Sequence, residues 1–415
     1  GSAPAAMTDY VIRPGDTLIG VGERHFTNPE NWRQVQTINR IADPYRLRIG
    51  SVLRIPTAYL RVANAGGRII AYQGRASIVR NGAGTPPRLD QSVMEGDILE
   101  TGPNAYLRVG LADGGAIIVP SNTRLRIDRL RADALTGSLD QSFSVLNGRV
   151  ESRVSPVRNG GAYTVRTPVS VSAVRGTVYR TGFDAELSRA TTEVLEGAVD
   201  VEAGAAAASV APGQGAVVSD AGLVVKPLPA RPYLVDPDAP SSAAEVVFDI
   251  VPVPGAVAYR AMTASDPGLV NVTAQTESNR GEARIVFPSL PDGFHYLAIS
   301  AVTADGLEGP VSVYDFLRAR NAVRDLTVEP LPAHPGGRSH LFQLTSDGAS
   351  TPRYRFQLGR VGEDPLIDRE GLKDDRLQIP DLKPGVYVWR VRSSRTVQGQ
   401  LVDVWSAPQT LTVRR

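Results

Sequence analysis

The residue types that carry out covalent or metal-dependent catalysis are few and scattered in this 415-residue chain. It contains no cysteine, which excludes a thiolate nucleophile. No Gly-x-Ser-x-Gly motif is present for an activated serine. The four histidines are His25, His295, His334 and His340. The two nearest of them are six residues apart in a proline- and glycine-rich segment, which does not fit the spacing of zinc ligands. We therefore predict no metal centre and no cofactor.

Acidic residues are the remaining candidates for catalysis, because the chain has 43 of them. One acidic cluster comprises Asp364, Asp368, Glu370, Asp374 and Asp375. Its spacing does not put a turn glycine where a calcium-binding loop needs one, which favours a solvated charged loop. Glycoside hydrolysis needs two carboxyls about 5 to 10 Å apart across a cleft, and small β domains seldom hold such a cleft. We predict that the protein is not an enzyme, with hydrolysis by a carboxylate pair as an alternative.

Composition indicates a globular protein built from many short strands. Hydrophobic residues make up 42% of the chain and charged residues 21%, and there are 40 glycines and 31 prolines. A chain of this length forms about three or four domains. The net charge is only +2, with acidic and basic residues interleaved, so we predict no nucleic-acid partner. No apolar run is long enough for a transmembrane segment.

Residues 9–56 have the pattern strand, helix, helix, strand. The first strand, at Tyr10-Val11-Ile12, ends at Pro14-Gly15. Asp16 or Thr17 then caps a short helix that begins at Leu18. Asn28 and Pro29 open a second helix that ends at Asn39. The second strand covers residues 52–55.

This region resembles a complete lysin-motif (LysM) domain. The resemblance rests on Gly15-Asp16-Thr17-Leu18, on Asn39 and on the segment from Leu47 to Pro56. It implies a βααβ fold and a shallow groove for the N-acetylglucosamine backbone of peptidoglycan. The groove would be lined by Gly15, Asp16, Thr17, Leu18, Asn39, Ile41 and Pro44. One departure is the pair Gly20 and Gly22 in the first helix, at a cost of about 1 kcal/mol each against alanine, which predicts a frayed helix and a weakened site.

Residues 57–66 are predicted to be a linker, and residues 67–225 to be an all-β domain. Asp113-Gly114 and Asn147-Gly148 follow alternating apolar residues and predict hairpins. The stretch from Val165 to Tyr179 also alternates, with a kink at Pro168 and a second break at Gly176. A side chain at Gly176 would point into a closely packed neighbour.

The same block resembles the FecR family of extracytoplasmic β domains. The resemblance rests on Val174-Arg175-Gly176-Thr177, Gly96-Asp97, Glu196-Gly197 and Pro212-Gly213-Gln214. It implies stacked hairpins in a twisted sandwich or a solenoid-like arrangement. Signalling members of the family relay the state of an outer-membrane receptor through a membrane helix to a sigma factor. This sequence shows neither that helix nor a cytoplasmic segment.

Two similar β modules are predicted at residues 227–320 and 325–413. Tyr259-Arg260 recurs as Tyr354-Arg355, and the segment that begins at Leu290 recurs at Leu382. The offsets of 95 and 92 residues match the size of one sandwich domain. Both halves resemble fibronectin type III or immunoglobulin-like modules, with Trp389 and Trp405 as expected core aromatics of the second.

These observations predict a multidomain, mainly β, extracytoplasmic protein that is non-enzymatic. Its LysM domain would bind peptidoglycan, and its β modules would form a scaffold for an envelope or membrane-sensor protein. One alternative is a FecR-like signalling regulator that acts on a membrane sensor, and another is an unrecognised cell-wall hydrolase. The small residues Ala3-Pro4-Ala5-Ala6 fit the position just after a removed signal peptide, so we expect a periplasmic location.

Overall fold

The computed structural model describes residues 6–156, 161–174, 176–238, 242–332, 338–348 and 350–414. Three predictions involve residues outside these ranges: the signal-peptide junction at Ala3-Pro4-Ala5, the motif residue Arg175 and the histidine His334. The described residues form a mainly β protein with five hydrophobic clusters, four of which are domain cores. The predicted multidomain, mainly β fold class is therefore confirmed.

The N-terminal domain has the predicted βααβ order. Its elements are β1 (Met7–Val11), α1 (Leu18–His25), α2 (Trp32–Asn39) and β2 (Val52–Pro56). The two strands pair antiparallel, with Val11 opposite Val52. Short 3-10 turns cover Pro29–Asn31 and Thr57–Tyr59. The helices pack on the strands through the core residues Tyr10, Ile12, Leu18, Val21, Phe26, Val35, Leu53, Ile55 and Leu60.

Helix α1 is intact in spite of its two glycines. Thr17 caps it, because its side-chain oxygen accepts a hydrogen bond from the Gly20 amide at 3.0 Å. A Cβ at Gly22 would lie 2.8 Å from the Pro29 carbonyl oxygen. Gly22 therefore allows the two helices to approach closely, which is why a poor helix former occupies this position.

The central domain contains eighteen strands. Their pairings form a closed set in which two sheets face each other across one core. The strands are β3 (Val62–Asn64), β4 (Gly67–Gln73), β5 (Ala76–Arg80), β6 (Ala83–Thr85), β7 (Ser92–Val93), β8 (Ile98–Thr101), β9 (Tyr106–Leu111), β10 (Ala116–Val119), β11 (Thr123–Asp133), β12 (Leu139–Arg153), β13 (Ala162–Arg166), β14 (Val171–Val174), β15 (Val178–Asp184), β16 (Arg189–Glu196), β17 (Val199–Ala203), β18 (Ala206–Val210), β19 (Gln214–Ser219) and β20 (Gly222–Pro227).

The first sheet of the central domain has the order β6-β5-β8-β11-β12-β13-β14-β17-β18. The second sheet has the order β7-β4-β9-β10-β12-β15-β16-β19-β20. Strand β12 belongs to both, since its first half pairs with β11 and its second half with β15.

Two local predictions for the central region differ from the structure. Asn147-Gly148 lies inside β12 and does not form a hairpin turn. Gly148 has φ +87° and packs against the backbone of Asn122, so it lets the strand pass from one sheet to the other. Asp113-Gly114 does join two paired strands, β9 and β10, as predicted. The expected linker at 57–66 contains β3, which pairs with β11.

The two C-terminal modules are sandwiches of two sheets each. Their sheets enclose one core per module, with Trp389 buried in the second. Trp405, expected in that core, lies half-buried outside it, with the guanidinium carbon of Arg390 4.2 Å from its ring centroid. The first module contains β21 (Tyr233–Leu234), β22 (Val246–Val251), β23 (Ala256–Ala264), β24 (Val272–Glu277), β25 (Arg284–Phe287), β26 (Gly293–Thr303) and β27 (Ser312–Arg318). The second contains β28 (Val323–Pro330), β29 (Ser339–Ser346), β30 (Arg353–Arg360), β31 (Ile367–Leu372), β32 (Arg376–Pro380), β33 (Gly385–Val397), β34 (Gln400–Trp405) and β35 (Gln409–Val413).

Candidate functional site

Two loops of the N-terminal domain meet at the predicted groove. The amide of Leu18, at the start of α1, donates a hydrogen bond to the Pro44 carbonyl at 2.8 Å. Gly15 lies exposed before Leu18, with φ +86° and open space where a Cβ would stand. The structure therefore brings the loop from Gly15 to Leu18 beside the loop that follows α2.

Asp16 holds its own loop in place. Its carboxylate accepts hydrogen bonds from the Tyr10 hydroxyl at 2.6 Å and from the Arg13 amide at 2.9 Å. Arg24 of α1 adds an ion pair at 2.8 Å. Burial alone would raise the pKa of Asp16, but these hydrogen bonds and the Arg24 charge outweigh it and lower the pKa. This side chain is 6% exposed and committed to three internal partners.

Asn39 connects α2 to β2. Its side-chain nitrogen donates to the carbonyl oxygens of Val35 and Arg54 at 2.8 and 2.7 Å. Its side-chain oxygen accepts from the Arg54 amide at 2.8 Å. Both amide hydrogens are used inside the domain, so Asn39 fixes the end of α2 against β2.

The remaining predicted residues divide between core and groove. Leu18 is fully buried, and Thr17 caps α1. Ile41 is half-buried against the core, and its backbone is fixed by two hydrogen bonds to Gln36. Pro44 is half-buried.

Sequence reasoning missed one residue of the second loop, Tyr45. Its side chain is 67% exposed directly after Pro44, and its amide donates to the Asp43 carboxylate at 2.9 Å. An aromatic ring presented this way can stack on an apolar sugar face. The sequence did contain a signal for Tyr45, because it is an aromatic residue directly after Pro44, which was predicted to line the groove.

In the described ranges, two carboxylates of the acidic cluster singled out from the sequence are paired with arginines. Among the described residues, no group of three or more His, Asp or Glu side chains could hold a metal ion. In the acidic cluster, Asp368 pairs with Arg355 and Glu370 pairs with Arg392. Across the described ranges, no helix is long and apolar enough to cross a membrane.

Comparison with known proteins identifies two regions. The LysM domain family matches residues 10–56, and the FecR protein family matches residues 97–200. No curated protein sequence matches the chain significantly.

The solved structures with similar strand arrangements include two of interest. One is a candidate anti-sigma factor from Parabacteroides distasonis, with 18% identity over 31% of this chain and a TM-score of 0.27. The match spans 59% of that bacterial chain. The other is a two-domain fibronectin type III segment of chicken tenascin, with 15% identity over 45% of this chain and 99% of that one, and a TM-score of 0.26. TM-scores this low do not tell what this chain binds. The family matches do assign its parts: the chain carries a LysM domain followed by a FecR domain.

Proposed function

We propose that this chain is a non-enzymatic, peptidoglycan-binding protein of the bacterial periplasm. The observation that supports the proposal most directly is the hydrogen bond from Leu18 to Pro44, which joins the two loops that the LysM resemblance assigns to a glycan groove. LysM domains bind glycans that contain N-acetylglucosamine, and LysM and FecR domains are typically extracytoplasmic.

The groove offers a glycan backbone groups and small apolar surfaces. Gly15 and Thr17 present the first loop, and Ile41, Pro44 and Tyr45 present the second. Loop amides and carbonyls can hydrogen-bond the acetamide, while the apolar side chains contact its methyl group. Asp16 and Asn39 act indirectly, because their hydrogen bonds hold the two loops in position.

A single shallow site of this kind binds weakly, and the wall compensates by repeating the same disaccharide. A protein released from one site finds another nearby, so retention exceeds the affinity of one contact. The β domains stay free to contact a partner protein, and the proposed role is therefore a wall-attached scaffold.

Sedimentation with purified peptidoglycan tests the glycan-binding part. We expect the whole chain to pellet with sacculi and Tyr45→Ala to pellet about tenfold less, because a sugar-stacking ring is lost. Tyr72→Ala is the matched control, since Tyr72 is an exposed tyrosine of β4 at 44%. Equal pelleting of a chain that lacks residues 6–60 would contradict the proposal.

A second candidate function is signalling, which the FecR match at residues 97–200 favours. The FecR domain would then act on a membrane sensor. Purification from envelope extract distinguishes the two roles, because a signalling regulator should retain a sensor protein in the absence of peptidoglycan.

The non-enzymatic part of the proposal follows from the scattered catalytic residue types. Incubation with intact sacculi should release no soluble muropeptides above a boiled-protein control. Muropeptide release would instead support the cell-wall hydrolase alternative.

A further inference from the structure

The two connections that meet at the LysM groove are rich in arginine. The first lies between β1 and α1, at residues 12–17, and the second between α2 and β2, at residues 40–51. Their charged residues are four arginines and two aspartates, namely Arg13, Arg40, Arg46, Arg48, Asp16 and Asp43. All four arginines are exposed. The connections that form the groove therefore carry an excess of positive charge.

Each connection contains one tight turn with an arginine at one end. In the first turn, the Asp16 amide donates a hydrogen bond to the Arg13 carbonyl at 3.1 Å. In the second turn, the Arg46 amide donates to the Asp43 carbonyl at 3.2 Å. Such a bond fixes the four residues of a turn relative to one another. The backbones of Arg13 and Arg46 are therefore held within the two connections that form the groove.

The residues proposed to contact the glycan lie inside these same turns. Gly15 is the third residue of the first turn, and Pro44 and Tyr45 are the central residues of the second. The hydrogen bond from Leu18 to Pro44 holds the second turn against the start of α1. Because an arginine side chain is long, a glycan in the groove would lie within reach of one arginine from each turn.

The two aspartates of the turns are occupied within the domain. The Asp16 side chain is 6% exposed, with the Tyr10 hydroxyl and Arg24 as partners of its carboxylate. The Asp43 carboxylate accepts a hydrogen bond from the Tyr45 amide at 2.9 Å. Both carboxylates stabilise their own loops, and neither pairs with an arginine of the two turns.

The arginine side chains of the two connections have no counter-charge in the domain. Their four guanidinium groups form no ion pair and no hydrogen bond with a described residue. Strand β11 of the FecR domain shows the opposite case, since each of its four arginines pairs with a carboxylate. The planar fork of an arginine matches a carboxylate in geometry and charge. The unpaired arginines therefore favour a glycan that supplies the carboxylate itself.

Peptidoglycan differs from a plain N-acetylglucosamine chain in carrying such groups. Every second sugar of its glycan strand bears a lactyl ether, whose carboxylate is either free or joined to a peptide with carboxylates of its own. A chain of N-acetylglucosamine alone is neutral. Opposite charges attract one another even at exposed sites, although weakly, so the arginines favour the substituted strand.

We propose that the LysM groove selects glycan strands that carry carboxylate groups over neutral strands, with Arg13 and Arg46 as the residues that set this preference. The inference rests on the proposed glycan-binding function and names the substrate class of the same groove. The recognised group is a carboxylate, whether it belongs to the lactyl ether or to the attached peptide.

Calorimetric titration of the whole chain with three soluble tetrasaccharides tests the proposal. All three alternate N-acetylglucosamine with N-acetylmuramic acid. The lactyl carboxylates are free in the first, converted to carboxamides in the second and joined to peptides in the third. We expect the free form to bind about fivefold more tightly than the carboxamide form, the size expected for two exposed charge pairs. This ratio should fall at high ionic strength, because salt screens exposed charges.

The third tetrasaccharide identifies the source of the carboxylate. If it binds more tightly than the carboxamide form, the carboxylates of the peptide reach the arginines. If it binds like the carboxamide form while the free form binds more tightly, the lactyl carboxylate is the recognised group.

Paired variants connect the preference to the two turns. Arg13→Gln combined with Arg46→Gln should bring the affinity ratio of the free and carboxamide forms close to one. Arg33→Gln is the matched control and should keep the ratio of the parent chain. Arg33 is an exposed arginine of α2 whose Nε lies 2.9 Å from the Glu30 carboxylate, so its charge is already paired.

The outcomes separate this inference from the function on which it rests. No preference for either carboxylate-bearing form over the carboxamide form, or an unchanged ratio in the double variant, would overturn the inference and leave glycan binding standing. Failure of all three tetrasaccharides to bind would reject the proposed glycan-binding function, and this inference with it.

Discussion

At the scale of single residues, two buried glutamates have pKa values shifted in opposite directions. They are Glu193 of the central domain and Glu308 of the first C-terminal module, which meet where these two domains touch. Burial raises the pKa of Glu193 to about 7, and the Glu308 charge adds to this while Arg180 opposes it. Burial would also raise the pKa of Glu308, but Arg180, Arg149 and Arg260 outweigh it and lower the pKa far below the usual range. The direction of each pKa shift therefore depends on how many arginines surround the carboxylate.

Glu193 should make the stability of the protein depend on pH. Its pKa is higher in the folded state than the ordinary value of 4.5, so the folded state binds the extra proton. The contribution to stability is fully present below pH 4.5 and is lost as the pH rises through about 7. Its upper bound is about 3 kcal/mol. Glu193→Gln should remove this loss, and thermal midpoints measured from pH 4.5 to 8 should become flatter. An unchanged profile would contradict the burial of an ionisable Glu193.

Glu308→Gln should destabilise the protein strongly. The substitution leaves Arg260 and Arg149 without their shared carboxylate in a buried contact, at a cost of about 3 to 5 kcal/mol. Because the pKa of Glu308 is lowered, its contribution is present above the ordinary carboxyl range and is lost only as the pH falls through the folded-state value. Chemical denaturation at pH 7 measures the effect. The control is Asp305→Asn, which breaks an exposed pair with Lys226 and should cost at most about 1 kcal/mol.

At the scale of elements, glycine positions explain both the successes and the failures of sequence reasoning. The βααβ order and the break at Gly176 could be predicted, because caps, prolines and alternating residues are local signals. The role of Gly148 could not be predicted, since Asn-Gly in an alternating pattern looks the same whether the chain turns back or crosses to another sheet. The sequence does not show that the turn at Asn122 packs against Gly148, and this contact decides between the two outcomes.

Gly176→Val should cost more than about 2 kcal/mol of unfolding free energy. Gly176 has φ +80°, and a Cβ there would lie 3.0 Å from the Pro156 Cα. Backbone strain at a positive φ and the steric contact with Pro156 therefore both destabilise the folded variant. Gly204→Val is the control for strain alone, because Gly204 has φ +59° with nothing within 4 Å. Equal denaturation midpoints for the two variants would show that the Pro156 contact does not matter.

At the scale of the whole molecule, the domains are joined by contacts that no local pattern indicates. Arg61 donates to the Phe26 carbonyl at 2.8 Å, and Leu135 from the central domain packs on the N-terminal core. The predicted linker is thus hydrogen-bonded on both sides. Likewise, Arg180 and Glu308 are 128 residues apart, so only the fold reveals their contact. The LysM domain could be predicted from its motif residues, whereas the contact of Arg180 with Glu308 could not.

The central claim is that the LysM groove binds an N-acetylglucosamine chain through the two loops joined at Leu18 and Pro44. Titration of the isotope-labelled chain with a soluble N-acetylglucosamine pentamer, followed by amide chemical shifts, tests it most directly. We expect the largest shifts at Gly15, Thr17, Ile41 and Tyr45, and little change in the side-chain amide of Asn39, which is occupied internally. Saturable shifts confined to another domain, or no shifts at millimolar glycan, would contradict the claim.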